Sequence, residues 1–331
     1  MFGRPIAIFR TGTHHLWVGL CHLVPSTCRD VPMRRIRPSY LWSLGLGLFL
    51  ACALPTIGWQ LISASSAVSV EQKNLLDQLS KVQVVYLGET HNSVADHKAQ
   101  LAIIRGLFER QPKLAIAMEM FQRPFQEPIN RYLAGEITEA QLQKETEYRQ
   151  RWGFDWEFYA PILRFAKQHQ LPVIALNTPT EITKKVGRQG LESLTPEDYT
   201  FIPPLADIDL SNTAYRQKLT TIYEQFHHGP ASEEGFERFF SAQVLWDETM
   251  AEKIAQTVRQ QPDQLVVVIA GKGHIEQGYG IPDRVSRRLS KFSSQDQPFR
   301  QSSIYLNPTE EARKIVNPPA ATHFWTQPGS E

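Results

Sequence analysis

Four short, nearly continuous apolar runs punctuate the chain: VQVVYLG (82 to 88), LAIAME (114 to 119), LPVIALN (171 to 177) and LVVVIAG (265 to 271). Apolar runs of this length without alternation are expected of strands buried on both faces, as in a parallel sheet covered by helices. A fifth run, SIYLNP (303 to 308), predicts an edge strand ended by Pro308. Among the intervening segments, EQKNLLDQLSK (71 to 81), DHKAQLAIIRGLFERQ (96 to 111) and YAPILRFAKQHQ (159 to 170) carry apolar residues at helical spacing. The pattern predicts an α/β fold, a mainly parallel sheet flanked by helices. Two stretches, 120 to 158 and 180 to 260, lack a strand signal. The second holds a loop-like FIPPLADIDL and the strong helix pattern FERFFSAQVLWDETMAEKIAQTVRQ. Both predict helical insertions that form a cap or subdomain on one side of the sheet.

The start of the chain has a different character. Residues 1 to 39 form a basic extension, with Arg4, Arg10, Arg29, Arg34, Arg35 and Arg37 against Asp30 alone, and no charged side chain follows until Glu71. Within that gap, YLWSLGLGLFLACALPTIGWQLIS (40 to 63) is long enough to cross a hydrocarbon core of roughly 30 Å as a helix. It reads as a transmembrane anchor or, if Met33 is the true start, as the apolar part of a signal peptide. The positive-inside rule then places the folded domain on the outer, periplasmic side of the cytoplasmic membrane, or exports it after cleavage. Cys52 in this stretch could carry a lipid. A serine- and alanine-rich linker (64 to 70) leads into a domain expected over 71 to 311, and a proline-containing tail (312 to 331) is expected to be irregular.

Charge and cysteine usage narrow the chemistry. A formal net charge of +1 over 331 residues offers no broad basic surface for nucleic acid. All three cysteines, Cys21, Cys28 and Cys52, precede Glu71. The body therefore has no disulfide, thiolate nucleophile or iron–sulfur ligand, and a metal or cofactor there must be held by His, Asp, Glu, Asn or Tyr.

Polar residues fall where the apolar runs end. Glu89 and His91 follow the first run, Glu119 the second, Asn177 the third, and Lys272, Gly273 and His274 the fourth. In an open parallel sheet the carboxyl ends of the strands share one edge, and ligands bind in the crevice beyond it. Glycine recurs there, since Gly88-Glu-Thr-His91 and Gly271-Lys-Gly-His274 both read G-x-x-H. Glu89, His91, Glu119 and His274 would suit a divalent transition metal, and the same set could act as general bases on a water. Each of these residues taken singly also fits a loop or a cap, and Asn177 before Thr178-Pro179 fits a turn equally well. Asp96 and His97 stand as a second layer, with Asp96 equally suited to the first turn of a helix. Asp247 and Glu248 join the pocket if they face the cap and are exposed acids otherwise. His227-His228 before Gly229-Pro230 reads as a loop, and Trp152, Phe154, Trp156, Phe158 and Tyr159 could wall a flat ligand or fill a core.

The blocks GETHNSVADH, AMEMFQRPFQEPINRYLAGEIT, LPVIALNTP, SAQVLWDETMA and AGKGHIEQGYGIP occur in the order seen in the ChaN-like haem-binding uptake proteins of the Tiki superfamily, which the chain resembles over roughly residues 75 to 290. The resemblance implies haem as cofactor and a role in haem or iron uptake, in a protein that is often membrane-attached. It further implies haem at a homodimer interface, with a tyrosine on iron and a histidine near a propionate. Tyr279 in QGYGIP and Tyr159 in WEFYAPIL are the candidate ligands, with Asn177 and His97 as further cofactor contacts. The wider superfamily also holds erythromycin esterase-like and TraB/Tiki hydrolases, whose active residues fall on the signatures that map here to Glu89, His91, Glu119 and His274.

Overall fold

A computed structural model describes residues 69–226, 232–292, 298–310, 313 and 322–326. The basic extension, the apolar stretch at 40 to 63 and His227-His228 lie outside the described residues. No described helix is long and apolar enough to cross a membrane.

The apolar runs form β1 (Val84–Glu89), β2 (Leu114–Gln122), β3 (Val173–Asn177), β4 (Leu265–Gly271) and β5 (Gln301–Leu306), joined by a short β6 (Thr322–Trp325). They make one parallel sheet in the order β3-β2-β4-β1-β5-β6. Two expectations change here. β5 is interior, because β6 pairs along its outer side, and β6 comes from the tail expected to be irregular. The prolines of that tail, Pro318, Pro319 and Pro328, lie outside β6 and so cost it no ladder hydrogen bond.

Alternation along each strand sorts the side chains into two layers. Val85, Leu87, Ile116, Met118, Val267 and Ile269 point to one face, where they pack with Ile103, Ile104 and Leu107 of the helix Val94–Arg110 and with Leu163 of the helix Ala160–Gln168. Val84, Tyr86, Ala115, Ala117, Val268 and Ala270 point to the other. There they meet Met250, Ala251, Ile254 and Val258 of the long helix Glu233–Gln260, and Ile281 and Val285 of the helix Ile281–Ser290. The expected insertions divide accordingly. The helices between 126 and 151 join the first layer through Ile129, Tyr132, Leu142 and Tyr148. The segment from 180 to 226 packs on the first half of the long helix as two separate clusters, one built on Tyr215, Leu219, Phe239 and Phe240 and one on Ile182, Val186 and Leu245. The long helix thus covers the sheet with one half and carries the cap on the other.

β3 is an edge strand, and Gln126 covers its open side: its amide nitrogen donates to the Val173 carbonyl (2.8 Å) and its amide oxygen accepts from the Ala175 N–H (2.8 Å). One side chain thereby supplies the two bonds a further strand would make.

Ile269→Ala, in the middle of β4 and fully buried, is expected to lower the unfolding free energy by about 2–5 kcal/mol. Val94→Ala, at a side chain 53% exposed, should stay within ~0.5 kcal/mol. Urea unfolding monitored by circular dichroism compares the two.

Candidate functional site

The site is assembled at the carboxyl ends of β1, β2 and β4, and it wraps around Gly271. In the β1–β4 ladder Glu89 lies opposite Gly271. On the β2 side the ladder to β4 ends at the Met118–Ile269 pair, and the register against β3 shifts between Met118 and Gln122. A local departure of this kind re-aims side chains. Here it brings the Glu119 carboxylate to the end of β4, where Oε2 accepts the Gly271 N–H at 2.7 Å. A side chain thus takes a backbone donor at the strand end.

The two G-x-x-H motifs are offset by one residue across the ladder, since Gly88 pairs with Ala270 rather than with Gly271. Each glycine makes room for the other motif. A Cβ on Gly271 would stand 2.8 Å from Cε1 of the His91 ring, and a Cβ on Gly88 would stand 3.3 Å from Cα of Lys272. The echo seen in the sequence is therefore a packing requirement.

On the first-layer side of Gly271, Glu89 is buried under four polar partners. Oε1 accepts from Nδ1 of His91 at 2.9 Å and from the Tyr159 hydroxyl at 2.5 Å. Oε2 accepts from the Gln100 amide at 2.7 Å and lies 3.6 Å from Nδ1 of His97. His97 in turn donates Nε2–H to the His91 carbonyl (3.0 Å), pinning the loop that carries His91. Asp96 fastens the same loop by accepting from the Thr90 N–H (2.9 Å) and from the Asn307 amide (2.8 Å). Burial pushes the Glu89 carboxyl upward, but the His91 bond and charge, then His97 and Tyr159, hold it below the ordinary range. Burial pulls the His91 imidazole down, and the bond and charge of Glu89, with Glu119, outweigh it and raise it.

On the other side, His274 stands between two acids. Its Nδ1–H reaches Oδ1 of Asp247 at 2.6 Å, and its Nε2 lies 3.4 Å from Oε1 of Glu119. Asp247 is fully buried and its second oxygen accepts from the Tyr215 hydroxyl at 2.5 Å. Burial disfavours the charged imidazole, but Glu119 and Asp247 outweigh it and raise His274 to about 10. The same pairing holds Glu119 below its ordinary range despite burial, through His274, then His91 and the Gly271 N–H.

The structure therefore gathers Glu89, His91, Glu119 and His274 as the strand-end rule requires, and it settles the open residues. Asp247 joins the site, whereas Glu248 faces Arg284, Arg287 and Arg288 on the helix Ile281–Ser290. Asn177 donates to the Glu119 carbonyl (2.8 Å) and accepts from the Trp246 indole, so it positions β2 and the long helix. Tyr159 is fully buried with its hydroxyl committed to Glu89. Tyr279 is half-buried and packs against the cap cluster of Tyr215 and Phe240. Gln100, Tyr215 and Gln243 were not found from sequence. Gln100 lies three residues after His97 and Gln243 four before Asp247, which puts each on its neighbour's helix face, but nothing in either stretch says that this face is buried.

The metal-centre expectation finds no support. Among the described residues no group of three or more His, Cys, Asp or Glu side chains is arranged to hold a metal ion. The reason is visible in the pairing: Glu89 and His91 turn toward each other, and so do Glu119, His274 and Asp247.

An all-parallel α/β sheet with a buried polar cluster at its carboxyl edge defines the class of protein. Residues 75–285 match the family described as haem-binding uptake, Tiki superfamily, ChaN, and the chain belongs to that family. The solved structure titled "Cofacial heme binding to ChaN of Campylobacter jejuni" is similar with a TM-score of 0.56 and 18% identity, over 73% of this chain and 88% of that one. That likeness is one of fold. An erythromycin esterase variant in its open conformation is more distant, at a TM-score of 0.42 and 14% identity over 72% of this chain and 74% of that one, and it carries no argument about activity. The chloroplastic protein RETICULATA-RELATED 5 of Arabidopsis thaliana is 28% identical over 282 residues, 78% of this chain. The chain spans 36% of that relative's length.

His274 has its folded value raised above the ordinary 6.5, to about 10. Its contribution to stability is thus fully present below pH 6.5 and lost as pH rises toward 10. The urea midpoint of the wild type is expected to fall across that window, and His274→Gln should be less stable at pH 6 and much flatter between these limits.

Proposed function

We propose that the protein binds haem in the crevice beyond β1, β2 and β4 and serves haem or iron handling, with its folded body outside the cytoplasmic membrane, anchored or exported through the apolar segment at 40 to 63. The observation that carries this reading is the aromatic wall over the histidines. Trp152 meets the His91 ring edge-on at 4.8 Å between centroids, Phe154 lies at 4.9 Å, and Phe158 stacks on His97 at 4.6 Å. All three aromatics are only partly buried, so they present apolar surface of the kind a flat macrocycle covers.

The donor set fits a tetrapyrrole in a body without cysteine. A phenolate or an imidazole can then serve as axial ligand to iron. Of the two tyrosines that the resemblance singles out, Tyr159 is committed to Glu89 and Tyr279 is left to serve. His91 keeps Nε2 free of hydrogen bonds among the described residues while Glu89 holds Nδ1, which places an oriented imidazole at the rim. Haem would be shared across this face by a homodimer, as the resemblance implies.

A second reading rests on that same imidazole. A carboxylate that fixes Nδ1 and leaves Nε2 open is the arrangement of a general base, and a buried acid–imidazole network is the setting in which such groups are tuned. The chain would then be a hydrolase that activates water at His91.

Titration of the full-length protein with ferric protoporphyrin IX, followed at the Soret band, separates the two. Haem handling requires saturable binding at a defined stoichiometry, weakened at least tenfold in Tyr279→Phe and retained in His91→Ala. Absence of a Soret shift, together with ester hydrolysis abolished by His91→Ala, would establish the base instead.

A further inference from the structure

Lys218 reaches the segment after His274 from the cap. It sits on the helix Thr213–Phe226, one turn after Tyr215. That helix runs antiparallel to the long helix, as contacts at both ends show: Tyr215 bonds Asp247, while Tyr223 lies 5.1 Å from the Phe239 ring. Lys218 consequently lies at the level of Gln243 and Asp247. Its ammonium crosses to the segment after His274, where it is 3.5 Å from the Glu276 carbonyl and 3.8 Å from Oε2 of that residue.

Those partners leave the ammonium poorly satisfied. Its side chain is only 17% exposed, and an ammonium has three donors to place. One bond at the limit of hydrogen-bond length and one ion pair beyond it do not place them. Burial pulls Lys218 below its ordinary value, with Glu276 and Asp247 opposing and Lys272 adding repulsion. Asp247 gives no direct relief, since its oxygens are taken by His274 and Tyr215.

Gln243 supplies an independent sign of an unfinished site. It is 2% exposed, its amide nitrogen lies 3.1 Å from Nδ1 of His274, and its amide oxygen has no partner. The Nδ1 proton is directed at Asp247 and cannot receive a donor. Turning the amide over sets its oxygen against the imidazole N–H and leaves the NH2 group without an acceptor. In either orientation a sealed polar atom beside His274 is unmatched, which has a cost unless something completes it.

We propose that Lys218, with the Gln243 amide behind it, forms a carboxylate-binding subsite beside His274, and that the carboxylate it takes is a propionate of the bound tetrapyrrole. This rests on the haem reading. Tyr279 packs into the same cap cluster as Tyr215 and Leu219, so an iron ligand and an anion anchor stand on one side of the crevice. The subsite would fix which edge of the macrocycle enters first, a role separate from gripping the iron.

The test compares full-length wild type, Lys218→Met and Lys218→Arg for binding of ferric protoporphyrin IX and of its dimethyl ester, which lacks the carboxylates. One charge-assisted hydrogen bond corresponds to roughly a tenfold preference. The wild type should prefer the diacid by about that factor, Lys218→Met should bind both equally, and Lys218→Arg should keep most of the preference. A wild type that binds both porphyrins equally, or a Lys218→Met protein that still discriminates, overturns the subsite and leaves haem binding intact. Binding of neither porphyrin by the wild type overturns both. Should Lys218→Met fail to fold, which its melting curve reports, Lys218→Gln takes its place in the comparison.

Discussion

The absence of a side chain at Gly271 is the constraint on which the site depends. At the end of a central parallel strand, flanked by two others, any Cβ would occupy the space that the His91 ring fills. With hydrogen there, the ring closes over the strand from one layer while Glu119 reaches the same backbone N–H from the neighbouring strand. Two halves of a polar cluster, drawn from opposite layers of the fold, are thereby brought onto one residue. The offset partner, Gly88, meets Lys272 in the corresponding way, so the strand pair and its two histidine loops fit together as a unit.

What holds the cluster is pairing rather than exposure. Charged side chains this deeply buried are tolerated when each is matched and hydrogen-bonded. Glu89 has His91, Gln100 and Tyr159, and Asp247 has His274 and Tyr215. The two sides differ in what they leave available. His274 has both nitrogens engaged with acids and acts as a fixed cation between β2 and the long helix. His91 keeps one nitrogen and a fraction of its surface open at the aromatic rim. Whatever chemistry or ligation the crevice performs through an imidazole therefore falls to His91.

The chain belongs to the family described as haem-binding uptake and shares its fold with the Campylobacter jejuni ChaN structure. The cap adds what a polar cluster lacks. Lys218 reaches over from it and Tyr279 packs against it, while Trp152, Phe154 and Phe158 of the first layer stay partly buried beside the histidines.

The sequence by itself determined the layered parallel sheet, because unbroken apolar runs between helical patterns have few other uses. The strand-end position of Glu89, His91, Glu119 and His274 followed from that topology. Tail strand β6 was illegible, being four residues of which three are half-exposed and so without an apolar run. Spacing tells which residues share an edge, not whether their lone pairs converge or pair off. Asp247 and Glu248 show the limit most clearly. They are adjacent and similar in chemistry, yet one bonds the site histidine and the other three arginines on a neighbouring helix. A helix rotates successive residues by about 100°, so which of two neighbours meets the crevice depends on how the long helix is rolled against the sheet. Only tertiary packing, through the small Ala115, Ala117 and Ala270 beneath that helix, decides it.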